Sequence, residues 1–378
     1  MRSKLASTGT SIFTIMSKMA ADHNAINLSQ GYPGFPISAE LIDRVNFYMQ
    51  KGENQYAPMP GLPALRGEIS KKVNAAFDCG ALADENIIVT SGATEGIYAT
   101  ITALIHPGDE VIYFEPAYDS YNPNVSINGG IPIPVTLSYP DFSIPWGKVE
   151  SLINDKTKMI VLNTPHNPSG AVLSREDLDR LEEIIRGKEI YVLSDEVYEH
   201  LIFDGKKHHS VLSHPELRKK SIAVFSFGKT FHATGWKMGY TVAPKLITDE
   251  IRRVHQFIVF SVNTPIQYAM VDFLKNPDHY LSLPTFFQKK RDLFQSMMDR
   301  SRFKKLDSYG TYFQTYSYAD ISNEPDTEIA ERITKEYGVA SIPFSVFYRD
   351  RTDHKLLRFC FAKEDETLQK ATDILCKI

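Results

Sequence analysis

The 378-residue chain is poor in cysteine, in long apolar runs and in net charge, and each scarcity excludes a class of protein. Its three cysteines are Cys79, Cys360 and Cys376. They are widely spaced, odd in number and form no C-x-x-C pair. A disulfide framework is therefore excluded, and a reducing cytoplasm is the expected compartment. No run approaches the roughly 20 apolar residues that a membrane helix requires. The 42 Lys and Arg against 46 Asp and Glu leave a formal charge of -4. That balance lacks the basic excess of a dedicated nucleic-acid binder. No H-E-x-x-H spacing occurs, and His208-His209 have no cysteine nearby, so no metal site is expected. No G-x-G-x-x-G follows a strand-like run, which leaves a dinucleotide site unsupported. Repeats and low-complexity tracts are missing as well, and the chain reads as one compact unit.

Acidic residues are also missing from the start, where the first is Asp22, preceded by Arg2, Lys4 and Lys18. Basic, acid-free and Ser-rich starts occur in organelle transit peptides. Here Ile12, Phe13, Ile15, Met16 and Met19 recur at helical spacing, and no small-residue cleavage site or polar linker follows. The segment therefore reads as an N-terminal arm and helix of the fold.

What the chain does contain is an alternation of short apolar runs with helical patterns. Strands are expected at 87–90, 111–114, 131–137, 159–162, 190–193 and 223–227. The prolines of the third suggest an edge position. A helix opens at Ser91-Gly92 and runs through Ala103. Another has Ser174 as its N-cap, with Asp177 three residues on. This alternation means a mostly parallel sheet covered on both faces. Polar clusters fall at the C-terminal ends of the strands, where open α/β sheets bind ligands. After about residue 270 the helices lengthen and the strands shorten, as at 355–361. That region, joined by the N-terminal segment, reads as a second, smaller α/β domain.

Several strand-end residues are candidates for chemistry. Lys229 follows a buried strand within Gly228-Lys229-Thr230, which matches the tail of a P-loop. Ala223 stands where that motif needs its first glycine, and the residues between are strand-like, so a P-loop is rejected. Asp195 ends another strand and could equally cap the following helix. Asn167 lies in a Pro- and Gly-rich turn. Ala93 and Thr94 sit where a helix start offers N–H groups and a positive dipole end to an anion. Arg358 is one cation in the apolar run Leu356 to Phe361 and needs a partner there. A carboxylate would suit its two-pronged geometry.

Together and in this order, the stretches "SGATEGIYA", "EPAYDSY", "NTPHNPSG", "SDEVYEH", "SFGKTFHATGWKMGY" and "LRFCFAK" resemble the pyridoxal-phosphate aminotransferases of fold type I. The resemblance runs from "GTSIFTIMSKMA" to the C-terminus. It is greatest for the subgroup that holds the kynurenine and glutamine aminotransferases and a bacterial methionine aminotransferase. It implies a mostly parallel, seven-stranded sheet sandwiched by helices plus a smaller α/β domain. Residues 1–45 would form the N-terminal arm and part of the small domain, 46–270 the large cofactor domain and 271–378 the C-terminal small domain.

The resemblance also implies roles. Lys229 would form a Schiff base with the cofactor and then move a proton at the substrate α-carbon. Asp195 would keep the pyridine nitrogen protonated. Tyr198 and Asn167 would hydrogen-bond the phenolic oxygen, and Tyr118 would stack on the ring. Ala93, Thr94, Ser226 and Lys237 would hold the phosphate, with Tyr56 reaching the phosphate of a neighbouring subunit in a homodimer. Many members carry Arg where Lys237 stands, and Lys lacks its fork. Arg358 would anchor the substrate α-carboxylate, with Asn163 and the Gly31 backbone completing the pocket. Phe13, Tyr32, Phe35 and Val262 would meet the substrate side chain. The implied activity is ping-pong transfer of an amino group from methionine, glutamine or aromatic amino acids to a 2-oxo acid. A C–S β-lyase uses the same Lys, Asp and Arg and is the alternative. A cofactor-binding regulator of gene expression is disfavoured, since the resemblance fills the chain and leaves no room for a DNA-binding domain.

Overall fold

The computed structural model describes residues 3–5 and 9–378. Residues 1, 2 and 6–8, including Arg2 of the basic start, lie outside the described residues. The centre is a seven-stranded sheet. Across it run Ile87–Thr90, Gly239–Val242, Ser221–Ser226, Tyr191–Asp195, Thr157–Asn163, Glu110–Glu115 and Ile131–Thr136. Gly239–Val242 is antiparallel to both of its neighbours, and the other six strands point one way. The mostly parallel sheet expected from the alternating pattern is therefore present, and Ile131–Thr136, with Pro132 and Pro134, lies at its edge.

Alternation within each strand explains why the sheet is buried on both faces. Ile112, Phe114, Ile160 and Val192 join one apolar cluster, while Val111, Tyr113, Val161 and Leu193 join another. The helices Gly92–Leu104 and Lys245–Ile258 cover the second face and pack on each other. Neither face is left to solvent, which is why these strands read as continuous apolar runs. The helix Arg175–Ile185 begins with a reciprocal cap: Ser174 Oγ accepts from the Asp177 N–H, and Asp177 Oδ2 accepts from the Ser174 N–H.

A four-stranded antiparallel sheet lies beside this body, in the order Ile342–Pro343, Leu356–Cys360, Phe313–Ser317 and Lys304–Lys305. Arg358 sits on a central strand, opposite Thr315 on one side and Ile342 on the other. The N-terminal segment is tied to this region. Ile26–Asn27 pairs in parallel with Val339–Ala340, and Leu28 O accepts from the Cys360 N–H at 2.8 Å. The helix Ile12–Asp22 precedes that pair and buries Met16 and Ala20. Among the described residues no helix is long and apolar enough to cross a membrane, and no cluster of His, Cys, Asp and Glu is arranged to hold a metal.

Candidate active site

Because six strands run one way, the segments after Thr90, Glu115, Asn163, Asp195 and Ser226 all meet at one edge of the sheet. Ser91 to Thr94 open a helix there, and the first N–H groups of a helix have no partner within it. Two glycines let the backbone crowd this helix start. A Cβ on Gly239 would fall 2.8 Å from the Ala93 nitrogen, and one on Gly92, which lies at φ +75°, would fall 3.3 Å from the Lys237 side chain. Lys237 itself adopts φ 53°, a left-handed turn that reverses the chain into the antiparallel strand. Its ammonium thus stands beside the open N–H groups, and the pair forms an anion cradle.

Lys229 lies in the single turn Phe227–Thr230 that ends the next strand, where Ser226 Oγ accepts from the Lys229 N–H. Its Nζ donates to Gly31 O at 3.1 Å, and burial pushes its pKa down to about 8. A substantial neutral fraction therefore exists near neutral pH, as an amine nucleophile or base requires. Asp195 is buried in the same cavity. Burial pushes its carboxyl up to about 6, while the hydrogen bond that Tyr121 donates to Oδ2 at 2.7 Å pulls the other way.

A chain of amides joins these groups to Arg358. Asn163 Nδ2 donates to Asp195 O at 3.0 Å, and Asn163 Oδ1 accepts from the Asn167 N–H at 2.9 Å. Asn167 Oδ1 in turn accepts from Arg358 Nη1 at 2.7 Å. Arg358 is fully buried, with its guanidinium 3.8 Å from the Phe313 ring centre and 5.3 Å from those of Phe13 and Phe347. Its Nη2 donates to Ser29 O, and its Nε has no partner. Burial lowers its pKa to about 10, which still leaves it cationic. A buried cation that meets only carbonyl oxygens and aromatic faces retains capacity for an anionic partner.

The expected site residues other than Tyr56 and Tyr32 line one cavity of about 290 Å³. Tyr56 is 81% exposed on the outer surface, against the Phe260 ring. Tyr32 is 46% exposed, and Lys363 accounts for its position: that ammonium donates to Tyr32 O and lies 4.7 Å from the ring centre. Of the expected side-chain contacts, Phe13 lines the cavity. Phe35 packs instead on His232 and Phe286, and Val262 is buried elsewhere. Gln30, Phe313 and Met238 also line the cavity and were missed, as was Tyr121 against Asp195. Tyr121 stands inside the quoted "EPAYDSY", yet nothing in the sequence marks which of its two tyrosines meets a carboxylate 74 residues away. His166 is structural: its Nε2 faces Pro116 O and its Nδ1 faces Ser169 Oγ, and burial lowers its pKa to about 4.

The chain's relatives agree with this geometry. The family profile described as aminotransferase class I and II matches residues 23–375. A methionine aminotransferase of Escherichia coli is 48% identical, over 99% of this chain and 97% of its own. A kynurenine–oxoglutarate transaminase of Dictyostelium discoideum is 35% identical, over 99% and 95%. Among solved structures, an Escherichia coli protein with methionine aminotransferase function superposes with a TM-score of 0.98, covering 100% of this chain and 99% of that one. An amine and a carboxylate at the strand ends of such a sheet share one cavity with a buried guanidinium, and with a family match over nearly its whole length the chain belongs to the aminotransferase class I and II family.

Proposed function

We propose that this aminotransferase uses pyridoxal 5'-phosphate and moves the amino group of methionine, glutamine or an aromatic amino acid to a 2-oxo acid in a ping-pong cycle. The observation that carries the reading is Lys229, Asp195 and Arg358 brought into one cavity, the last two buried and none with an oppositely charged partner among the described residues. The donor set fits the cofactor. The cradle of Ala93, Thr94, Ser226 and Lys237 suits a phosphate, Asp195 a pyridinium and Lys229 an aldehyde. Tyr118 offers a ring face, and Asn167 and Tyr198 offer polar groups to the phenolic oxygen. When bound, pyridoxal phosphate supplies a carbonyl that takes up the amino group and a ring that draws electrons from the substrate α-carbon.

The chain's own residues do the rest. Arg358 binds the α-carboxylate, which gives its unpartnered Nε an acceptor. Lys229, neutral in substantial fraction, takes the proton from the α-carbon and returns it elsewhere on the reacting pair. Asp195 holds a positive charge opposite it. Phe13, Phe313, Tyr118 and Met238 give the cavity an apolar wall, and Arg358 is the single arginine among the described lining residues. That supports a donor with one carboxylate and an apolar or neutral side chain, in keeping with the methionine and kynurenine relatives.

The wider reading includes a homodimer in which the exposed Tyr56 of one copy serves the phosphate site of the other. It places the protein in a reducing cytoplasm, in line with three free thiols. It also divides the chain into a large cofactor domain (46–270) and a small domain built from 1–45 and 271–378. The test is an absorbance titration of the protein reconstituted with pyridoxal phosphate. Methionine should bleach the visible band, and a 2-oxo acid should restore it. A chain that takes up no cofactor overturns the reading. Bleaching without recovery, with pyruvate released from a sulfur amino acid, replaces it by a lyase.

A further inference from the structure

Tyr121 is fully buried, and its hydroxyl donates to Asp195 Oδ2 at 2.7 Å. The other carboxylate oxygen, Oδ1, has only a long contact with the Val197 N–H at 3.4 Å. Three features hold the phenol in place. Tyr121 starts the helix Tyr121–Ile127, its ring meets that of Tyr118 edge-on at 5.9 Å, and it forms part of the wall of a second cavity of about 240 Å³ on the far side. Asn163 lines both cavities.

We propose that Tyr121 is the positioning residue of Asp195: its hydroxyl fixes Oδ2 and leaves Oδ1 as the one oxygen with capacity for the ring nitrogen of the bound cofactor. This rests on the cofactor reading above. The physical need is clear from the surroundings. A buried carboxylate without a partner drifts towards its neutral form, which cannot hold a protonated ring. The groups that face Asp195 are Tyr121, the Val197 N–H, Lys229 and Glu196, with Tyr118 and Tyr198 at longer range. Glu196 raises the carboxyl further, and the buried ammonium of Lys229 offsets it only while protonated. The Tyr121 bond is the largest of the influences that favour the charged form. The phenol is a dependable donor, because burial and Asp195 hold its own pKa far above the ordinary value.

The test removes one atom. In Tyr121→Phe the ring and the cavity wall remain. The apoenzyme is labelled with 13C at the aspartate carboxyls, and the Asp195 resonance is assigned with Asp195→Asn. Its titration should move up by about one to two pH units, as expected for the loss of a hydrogen bond to a charged group. The loaded enzyme should lose kcat by about 10- to 100-fold with KM for the amino acid little changed, and should release cofactor more readily. If the variant does not fold, 3-fluorotyrosine at position 121 is a stronger donor and must shift the same resonance downwards. An Asp195 titration that stays put in whichever folded protein is measured overturns the proposal. A wild-type protein that binds no pyridoxal phosphate would defeat the cofactor reading instead, and the apoenzyme titration would still decide the role of Tyr121.

Discussion

Two groups of charged residues in the interior meet at the loop from Asp195 to Glu199, and they are treated in opposite ways. In the cavity, Lys229, Asp195 and Arg358 meet carbonyls, a phenol and an amide, and none forms an ion pair among the described residues. Behind the cavity Glu199 and Glu196 each meet a lysine or a histidine. Lys72 lies 2.7 Å from Glu199 Oε1, with both side chains at most 4% exposed, and its ammonium also donates to the Tyr240 hydroxyl. Glu196 accepts from Ser194 Oγ and the Val211 N–H and pairs with His208 at 2.8 Å. The loop from Asp195 to Glu199 serves both groups, turning Asp195 and Tyr198 into the cavity and Glu196 and Glu199 away from it. Glu95 plays the same part under the helix start at Gly92, bound to the Ser91 N–H and to His255. Buried charge is expensive unless it is paired. A site that leaves three such charges unpaired is completed by a ligand, and the paired set behind it keeps them from relaxing.

The comparison predicts that the cavity set carries activity and the brace carries stability. The largest effect belongs to Lys229→Ala. It should lower turnover by about 10⁴-fold, because in the proposed function it removes both the nucleophile and the general base. The melting temperature of the apoenzyme should not fall, since a buried, unpaired amine is removed with it. A melting temperature several degrees lower would break the division. Next comes Lys72→Met, which strands Glu199 in the interior. Denaturant unfolding should show a loss of about 3–5 kcal/mol, most of it recovered in the double variant Lys72→Met/Glu199→Leu. An unchanged unfolding midpoint would mean the brace is ornamental. Arg358→Ala should raise KM for every amino acid donor by about 100- to 1,000-fold, by the loss of two charge-assisted hydrogen bonds. A KM that rises for one donor only would make Arg358 a side-chain contact and not the carboxylate anchor.

The same division explains what the sequence disclosed. Strands such as Ile87–Thr90 and Thr157–Asn163 were legible because both faces are buried, so Ile87 to Val89 and Met159 to Leu162 form unbroken apolar runs. Gly239–Val242 was not singled out: it is four residues long, begins with a glycine, and its antiparallel sense depends on a turn at Lys237 that periodicity does not reveal. The cavity groups stood out at strand ends, in stretches that resemble a known family. The brace did not. Lys72 is one lysine in a helix with little amphipathic contrast, and its partner is 127 residues away. His208 stands in a Lys-rich loop, and nothing around it in sequence points to Glu196, which its ring meets at 2.8 Å. Pairing between distant elements leaves no local signature, so the half of the site that holds the other half in place became visible only in three dimensions.

The smallest predicted effect, and the one that bears most directly on the contrast, is the pH dependence of apoenzyme stability. Burial raises Asp195 from 3.8 to about 6, so between those values the folded protein holds a proton that the unfolded chain has released. The resulting stabilisation is complete below the lower value and is lost as pH rises through the upper one. Lys229 acts in another window. Its pKa is lowered from 10.5 to about 8, so there the unfolded chain holds the extra proton and stability recovers as pH rises. The wild-type apoenzyme should therefore lose about 2 kcal/mol relative to Asp195→Asn between pH 4 and pH 6, at about 1.4 kcal/mol per pKa unit. Urea unfolding of both proteins at the two pH values measures it, and identical profiles would show that Asp195 is not held in an unpaired state. If pyridoxal phosphate binds as proposed, loading it should flatten the acid-side slope, because a protonated ring nitrogen would supply the counter-charge that the chain withholds. The cavity would then behave electrostatically as the brace does already.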